Sequence, residues 1–138
     1  MVVKIRKTVY DGIIKHAEAG FPHEVCGVLI GAGGEITHYR ECRNLNTERA
    51  HDRYDMDPVS FKEADEWARG DGLEIVGIYH SHPDHPSFAS ETDRQRAWPE
   101  WVYMIFSING GKYNDARAWV LEDFDSRFIE EAVELSDG

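Results

Sequence analysis

Two histidines that are separated by one residue are the first feature of this sequence that could do chemistry. His80 and His82 lie at and just beyond the end of the apolar, β-branched run 73–80, which predicts a strand. Because side chains alternate along a strand, residues two apart point to the same face. Two imidazoles on one face are half of a zinc site, although a pair of this kind taken alone is more often incidental.

A carboxylate that follows the histidines could complete this metal site. Asp93 is the best-placed acid, in a Ser90-x-x-Asp93 segment that comes after the loop 83–89. Three protein ligands with a fourth position open for water are typical of catalytic zinc. The same spacing is also typical of a helix capping pair, and both interpretations can hold together, since a cap can present its side chain to a site. His85, in the polar loop, is an alternative ligand.

A catalytic zinc site also needs a general base that does not coordinate the metal. Glu24 is a candidate because it precedes the apolar run 25–30, which predicts a buried strand. Desolvation at the rim of a core tends to raise the pKa of an acid toward a useful value. Residue type alone does not separate Glu24 from the other acids, and a solvated acid at the end of a strand is the simpler interpretation.

Taken together, these residues resemble the complete signature of the JAMM, or MPN-plus, zinc metalloproteases. That signature is a His-x-His-Pro segment, six further residues and a Ser-x-x-Asp segment, with a glutamate well upstream. The full spacing is highly specific, whereas a His-x-His pair by itself is weak. The matching positions in this chain are Glu24, His80, His82, Pro83, Ser90 and Asp93.

The resemblance extends over about residues 5–122. The segment 22–31 contains Glu-x-Cys-Gly and is similar to the small prokaryotic members that process sulfur-carrier proteins. One small departure is Ala89, where many members have proline before the serine. That change alters the stiffness of the loop rather than the chemistry.

The resemblance implies a role for each matching residue. The ligands of Zn²⁺ would be His80, His82 and Asp93. Glu24 would act as the general acid/base, and Ser90 would stabilise the oxyanion. The implied reaction is hydrolysis of a peptide or isopeptide bond at the C-terminal Gly-Gly tail of a small β-grasp ubiquitin-like or sulfur-carrier protein. A non-catalytic MPN-type scaffold or interaction module is the alternative, but such scaffolds typically lack the ligand set that this chain retains.

The elements that must position these residues alternate between helix and strand. Asp57-Pro58 is a typical helix start, Thr8 could cap the first helix, and 109–111 predicts a hairpin turn. The segment 128–135 suits either a helix or one face of a strand, and 54–56 suits a short strand. Helices are predicted over about 8–19, 57–70 and 90–98, and strands over 25–30, 36–43, 73–80, 101–108 and 112–121.

This order predicts one α/β domain over residues 1–138, with a mixed, mostly antiparallel sheet flanked by helices. The resemblance further implies the cytidine-deaminase-like fold of JAMM/MPN domains. Two neighbours of the site are ambiguous. Cys26 lies on the predicted face of Glu24 and could line a pocket, although a small core residue is the simpler interpretation. Trp98 is predicted to be in the core, with the wall of a substrate groove as the alternative.

Composition limits the partners. The chain has 138 residues and a net charge of −11, from 26 acids against 15 bases, which argues against nucleic acids and anionic membranes. Its two cysteines, Cys26 and Cys42, do not form a disulfide framework and suit a reducing cytoplasm. We see no signal peptide and no membrane span in the sequence. The expected location is therefore cytoplasmic.

Overall fold

Seven strands and three helices alternate along the chain in the computed structural model, which describes residues 2–138. The strands are β1 (Val2–Arg6), β2 (Cys26–Ala32), β3 (Glu35–Cys42), β4 (Glu74–Pro83), β5 (Val102–Asn109), β6 (Lys112–Leu121) and β7 (Phe128–Ser136). The helices are α1 (Lys7–Gly20), α2 (Pro58–Gly70) and α3 (Glu91–Arg96).

The strands close into a barrel in the order β1-β3-β2-β4-β5-β6-β7, and β7 pairs back onto β1. Parallel pairs join β1 to β3, β1 to β7 and β4 to β5, and the other four pairs are antiparallel. The predicted fold class, a mixed sheet with helices, is confirmed. Strand β1 and the closure of the barrel are features that the sequence analysis did not predict.

Helices α1 and α2 pack on opposite faces of the central strands. Val9, Ile13 and Ala17 of α1 belong to a core cluster with residues of all seven strands, so α1 covers the enclosed face of the barrel. Ala64 and Ala68 of α2 pack with alternate residues of β2 on the outer face. Strands β2 and β4, which carry the predicted site residues, are therefore buried on both sides.

Several local predictions need correction. Arg6 is the N-cap of α1 and makes no side-chain cap hydrogen bond, so Thr8 does not cap the helix. Asp57 does cap α2, since its carboxylate accepts a hydrogen bond from Val59 N. The segment 128–136 is strand β7 rather than a helix. In place of a strand at 54–56 there is one isolated bridge, between Met56 and Asn44.

Trp98 is not a core residue. Its side chain is 61% exposed and packs edge-on against Phe124, because α3 ends at Arg96 and the chain then turns outward. Trp101, three positions further on, does pack against the core. No helix within residues 2–138 combines the length and the apolar character that a membrane span requires.

Candidate active site

Strand β4 brings the two histidine side chains to one point. It continues to Pro83, three residues beyond the predicted end, so that both His80 and His82 lie within the regular strand. Their side chains share a face, and the two Nε2 atoms are 3.2 Å apart. Ser81, between them, points to the other face and is fully buried. The alternation that the sequence predicts is thus present.

Asp93 meets the histidines from the first turn of α3. Its Oδ1 lies 3.3 Å from His80 Nε2, and its Oδ2 lies 3.4 Å from His82 Nε2. Within residues 2–138, these three side chains form the one group whose ligand atoms lie within 4.8 Å of one another and could hold a metal ion. His85 is exposed in the following loop and does not belong to the group.

The hydrogen bonds around the imidazoles suit metal ligands. His82 Nδ1 lies 2.8 Å from the carbonyl oxygen of Pro86, and because a carbonyl only accepts, Nδ1 carries the proton and Nε2 is left with its lone pair. His80 Nδ1 is buried and has no hydrogen-bond partner among residues 2–138. The polar contacts of His80 are therefore all at Nε2, the atom that faces Asp93. Two imidazole nitrogens and one carboxylate are a donor set that fits zinc.

Electrostatics favour an ionised Asp93. Burial by itself would raise the pKa of this carboxyl group, but the two imidazoles and the backbone N–H of Ser90 together hold it far below its usual range. Asp93 therefore offers a negative charge to any cation between the histidines. For His82, burial works to lower the pKa, and the hydrogen bonds to Asp93 and Pro86 outweigh it and raise the pKa.

Glu24 reaches the same place from the segment just before strand β2. Cys26 pairs with His80 in the antiparallel register of β2 and β4, and two hydrogen bonds between Val25 and Ser81 extend this pairing toward Glu24. Glu24 is therefore on the side of the sheet that carries the histidines. Its side chain is 7% exposed, and burial raises its pKa, an effect that the nearby imidazoles partly offset.

Ser90 is the N-cap of α3 and also faces the site. Its Oγ accepts a hydrogen bond from Asp93 N at 3.0 Å, and its backbone N–H donates to Asp93 Oδ2 at 2.8 Å. This capping box uses a lone pair of the hydroxyl group and leaves its proton free to be donated elsewhere. The capping interpretation of the Ser-x-x-Asp spacing is thus confirmed, and the geometry also allows the hydroxyl to act on a substrate.

These side chains line a cavity of about 350 Å³. Glu24, His82, Ser90 and Asp93 lie on its wall, together with residues 52–54 of the loop between β3 and α2. Sequence reasoning gives these loop residues no role. A polar loop carries no periodic signal, and they reach the site through tertiary contacts alone.

Among these additional residues, Tyr54 contacts a candidate metal ligand directly. Its ring stacks on the imidazole of His80, with centroids 4.7 Å apart and planes inclined by 27°. Cys26 does not line the cavity. Its thiol is buried and points toward the carbonyl oxygens of Cys42 and Arg43, and burial raises its pKa to about 12. Such a thiol is a small core group rather than a nucleophile.

The loop after β4 is held by the neighbouring strands. Ser107 on β5 donates a hydrogen bond from its hydroxyl to the carbonyl oxygen of His85 at 2.5 Å. The hydroxyl of Ser87 donates to Asp115 at 2.7 Å, and the indole N–H of Trp119 donates to the Ser87 carbonyl at 3.0 Å. These bonds place the Pro86 carbonyl where it orients His82. The loop next to the candidate metal ligands is thus tied to strands β5 and β6.

Comparison with known proteins agrees with this geometry. Residues 6–122 match the family model described as prokaryotic homologs of the JAB domain. The chain is 40% identical over 134 residues to a desampylase of Haloferax volcanii, covering 90% of this chain and 91% of that protein. It is 31% identical over 125 residues to a CysO-cysteine peptidase of Mycobacterium tuberculosis, covering 88% and 84%. A solved structure from Desulfitobacterium hafniense, 26% identical, superposes with a TM-score of 0.80 and covers 100% of this chain and 94% of its own.

Proposed function

Because this chain belongs to the prokaryotic JAB family of JAMM/MPN proteins and is a hydrolase, we propose that it uses Zn²⁺ to cleave the bond after the C-terminal Gly-Gly tail of a small ubiquitin-like or sulfur-carrier protein. One observation carries this proposal. The three candidate ligands, His80, His82 and Asp93, converge on one point, and two of them, His82 and Asp93, line a cavity together with the buried Glu24.

The names of the relatives support the substrate class. Similar proteins are a desampylase, a CysO-cysteine peptidase and a probable TtuB-protein conjugate cleaving protease. The last is 35% identical over 57 residues, which is 41% of this chain. Each of these names describes removal of something from a protein or a protein conjugate. We propose that the partner of this chain is a small β-grasp protein that ends in Gly-Gly.

The proposed mechanism gives a separate task to each polar side chain. His80, His82 and Asp93 would hold Zn²⁺, which supplies Lewis-acid polarisation of a carbonyl and lowers the pKa of water toward about 7. Glu24 takes a proton from the attacking water and later gives it to the leaving amine. The raised pKa of Glu24, caused by burial, suits both steps. The hydroxyl group of Ser90 donates a hydrogen bond to the carbonyl oxygen as negative charge develops there.

We propose the Gly-Gly requirement from the close approach that this mechanism needs. The scissile carbonyl must come within hydrogen-bond reach of Ser90 and near Glu24, which both line the cavity. Glycine lets a backbone approach most closely, so a tail without bulky side chains fits best. The residue beyond the cut would be tolerated more loosely than the two glycines.

The test combines metal content with cleavage. We expect about one zinc per chain in the purified protein, by elemental analysis. Glu24→Gln should keep the zinc and the fold but lose at least about 10²-fold in rate, because it removes the base without removing a ligand. His80→Ala should lose both zinc and activity. Activity is measured by mass spectrometry on carriers that bear an extension after Gly-Gly, with ubiquitin chains alongside.

Three outcomes would contradict the proposal. A metal site that contains none of the three ligands would overturn the zinc assignment, and near-normal turnover by Glu24→Gln would overturn the base. Robust cleavage of ubiquitin chains without action on any extended Gly-Gly carrier would overturn the substrate class. Loss of cleavage when the final glycine is replaced by a bulky residue would support it.

A further inference from the structure

Arg53 is a cation on the cavity wall that forms no close ion pair within residues 2–138, although its charge helps to lower the pKa of Asp52. Its Nη1 donates a hydrogen bond to Thr92 Oγ1 at 3.0 Å, on the helix that carries Asp93. Among residues 2–138, no carboxylate lies within 4 Å of its guanidinium, although the chain has 26 acids against 15 bases. Arg53 is half-buried and lines the cavity.

Two neighbouring charged residues of this wall, Arg96 and Asp52, already have close partners. Arg96 lies 3.1 Å from a carboxylate oxygen of Asp55 and donates to the carbonyl oxygen of Tyr54 at 2.6 Å. Asp52 receives two hydrogen bonds from Arg49, at 3.2 and 2.6 Å. Arg53 is therefore the guanidinium of the described cavity wall whose charge is left for a ligand.

We infer that Arg53 binds the α-carboxylate of a single amino acid that leaves when the bond after Gly-Gly is cut. This inference rests on the proposed function and specifies its leaving group. A guanidinium offers parallel N–H donors that match the two oxygens of a carboxylate, and such pairs are stronger than neutral hydrogen bonds. The one bond to Thr92 holds the group in place and leaves further donors free.

The position of the carboxylate distinguishes the possible leaving groups. In an α-linked amino acid, the carboxylate carbon is two bonds from the leaving nitrogen, so the carboxylate stays close to the scissile bond, within the cavity that Arg53 and Asp93 both line. In a lysine isopeptide, four methylenes follow that nitrogen and offer no acceptor to Arg53. A second leaving residue would move the carboxylate about 3.5 Å further away. Arg53 thus favours carriers capped by one amino acid.

The decisive comparison uses two substrates that differ in one charge. One is a Gly-Gly carrier extended by alanine with a free carboxylate, and the other is the same protein ending in alanine carboxamide. We expect the zinc-loaded wild-type protein to cleave the acid roughly 10- to 100-fold faster in kcat/KM, the range for a hydrogen bond to a charged group. Arg53→Gln should bring this ratio close to one by slowing the acid and not the amide.

Matched variants separate charge from fold. Arg53→Lys keeps the charge without the paired donors and should retain part of the preference. Arg43→Gln removes the same charge from an exposed residue outside the cavity and should leave the preference unchanged. Zinc content and thermal unfolding are recorded for each protein. If Arg53→Gln does not fold, the ratio of kcat/KM on the acid to that on the amide still tests the role of Arg53. That ratio is then compared between the wild-type protein and Arg53→Lys.

The outcomes distinguish this inference from the proposed function. Equal cleavage of acid and amide by the wild-type protein overturns the role of Arg53 and leaves the proposed function standing. Cleavage of a lysine-linked carrier with no action on the alanine-capped one overturns the inference in the same way. Failure to cleave any Gly-Gly carrier overturns the proposed function and the inference with it.

Discussion

The hydroxyl group of Ser90 can accept one hydrogen bond through its oxygen and donate another through its proton. Its oxygen caps α3, and its proton is free for a substrate. We expect Ser90→Ala to keep zinc, to lose roughly 10²-fold or more in kcat, the usual scale for an oxyanion donor, and to lose about 1 kcal/mol in the free energy of unfolding as the cap disappears. Steady-state kinetics and urea unfolding measure the two effects separately.

Asp57 provides the matched control for Ser90→Ala. It caps α2 through a 3.0 Å bond from Val59 N and lies outside the cavity. Asp57→Ala should cost a similar amount of stability and leave kcat unchanged. If both variants slowed the reaction equally, the loss in Ser90→Ala would come from the weakened fold, and the oxyanion role would be wrong.

The spacing of His80 and His82 predicts that they share one face of a strand, and the resemblance to the JAMM signature implies that Asp93 joins them. Two residues on one face of a strand and a third at the start of the next helix are local features, and local geometry is readable from sequence. Arg53 and Tyr54 are different. They come from a polar loop between β3 and α2, and nothing in their neighbourhood along the chain indicates that the loop folds back over His80.

At the scale of elements, Asn44 joins the segment before strand β2 to the loop that forms part of the cavity wall. Its Nδ2 donates to the carbonyl oxygens of Glu24 and Arg53, each at 3.1 Å. Its Oδ1 accepts from the backbone N–H groups of Asn46 and Asp55, at 3.0 and 2.9 Å. All the hydrogen-bonding capacity of one amide thus holds the general-base candidate and the wall in register.

We therefore expect Asn44→Ala to lower kcat/KM by roughly tenfold and the free energy of unfolding by about 1–3 kcal/mol, because buried backbone groups lose their partners. Asn44→Asp keeps the two acceptor bonds but loses both donors, so it should not restore activity. Asn46→Ala, in the same loop, is the control and should have a smaller effect. Kinetics on an extended Gly-Gly carrier and urea unfolding provide the measurements. Normal turnover by Asn44→Ala would show that the wall is positioned by other contacts.

Other elements illustrate where sequence patterns succeed and fail. The apolar run 73–80 predicts β4, and the structure extends that strand to Pro83 because its last residues pair with β5. Gly27, which follows the candidate base in the Glu-x-Cys-Gly segment, has a packing reason: a Cβ atom there would lie 2.3 Å from the Tyr79 ring. Only the packed structure reveals that contact, since the two residues are far apart in the chain.

At the scale of the whole molecule, the closure of the barrel depends on strands from the two ends of the described chain. Val2–Arg6 of β1 pairs in parallel with residues 132–136 of β7, with Val3 opposite Val133. A short apolar run such as β1 has no partner nearby in sequence, and β7 has a pattern that also suits a helix. Their pairing is a long-range event, which is why local patterns predict neither β1 nor the barrel.

Val133 tests whether this closure is part of the cooperative core. The side chain is half-buried and packs against the cluster that contains Val3 and Ile5. Val133→Asp would place a charge against apolar groups, and we expect the free energy of unfolding to fall by about 1–3 kcal/mol. Ala132→Asp adds the same charge on the exposed side of β7 and should change stability by no more than about 0.5 kcal/mol.

Urea unfolding and amide hydrogen exchange distinguish global from local effects of these two variants. Because β7 pairs with β1 and β6 and not with β2 or β4, folded Val133→Asp should still bind one zinc and cleave at the wild-type rate. Its β1 and β7 amides should exchange faster, whereas those of β4 should change only as much as global stability does. If the two variants were equally stable, Val133 would not belong to the cooperative core. The core would then end at β1 and β6.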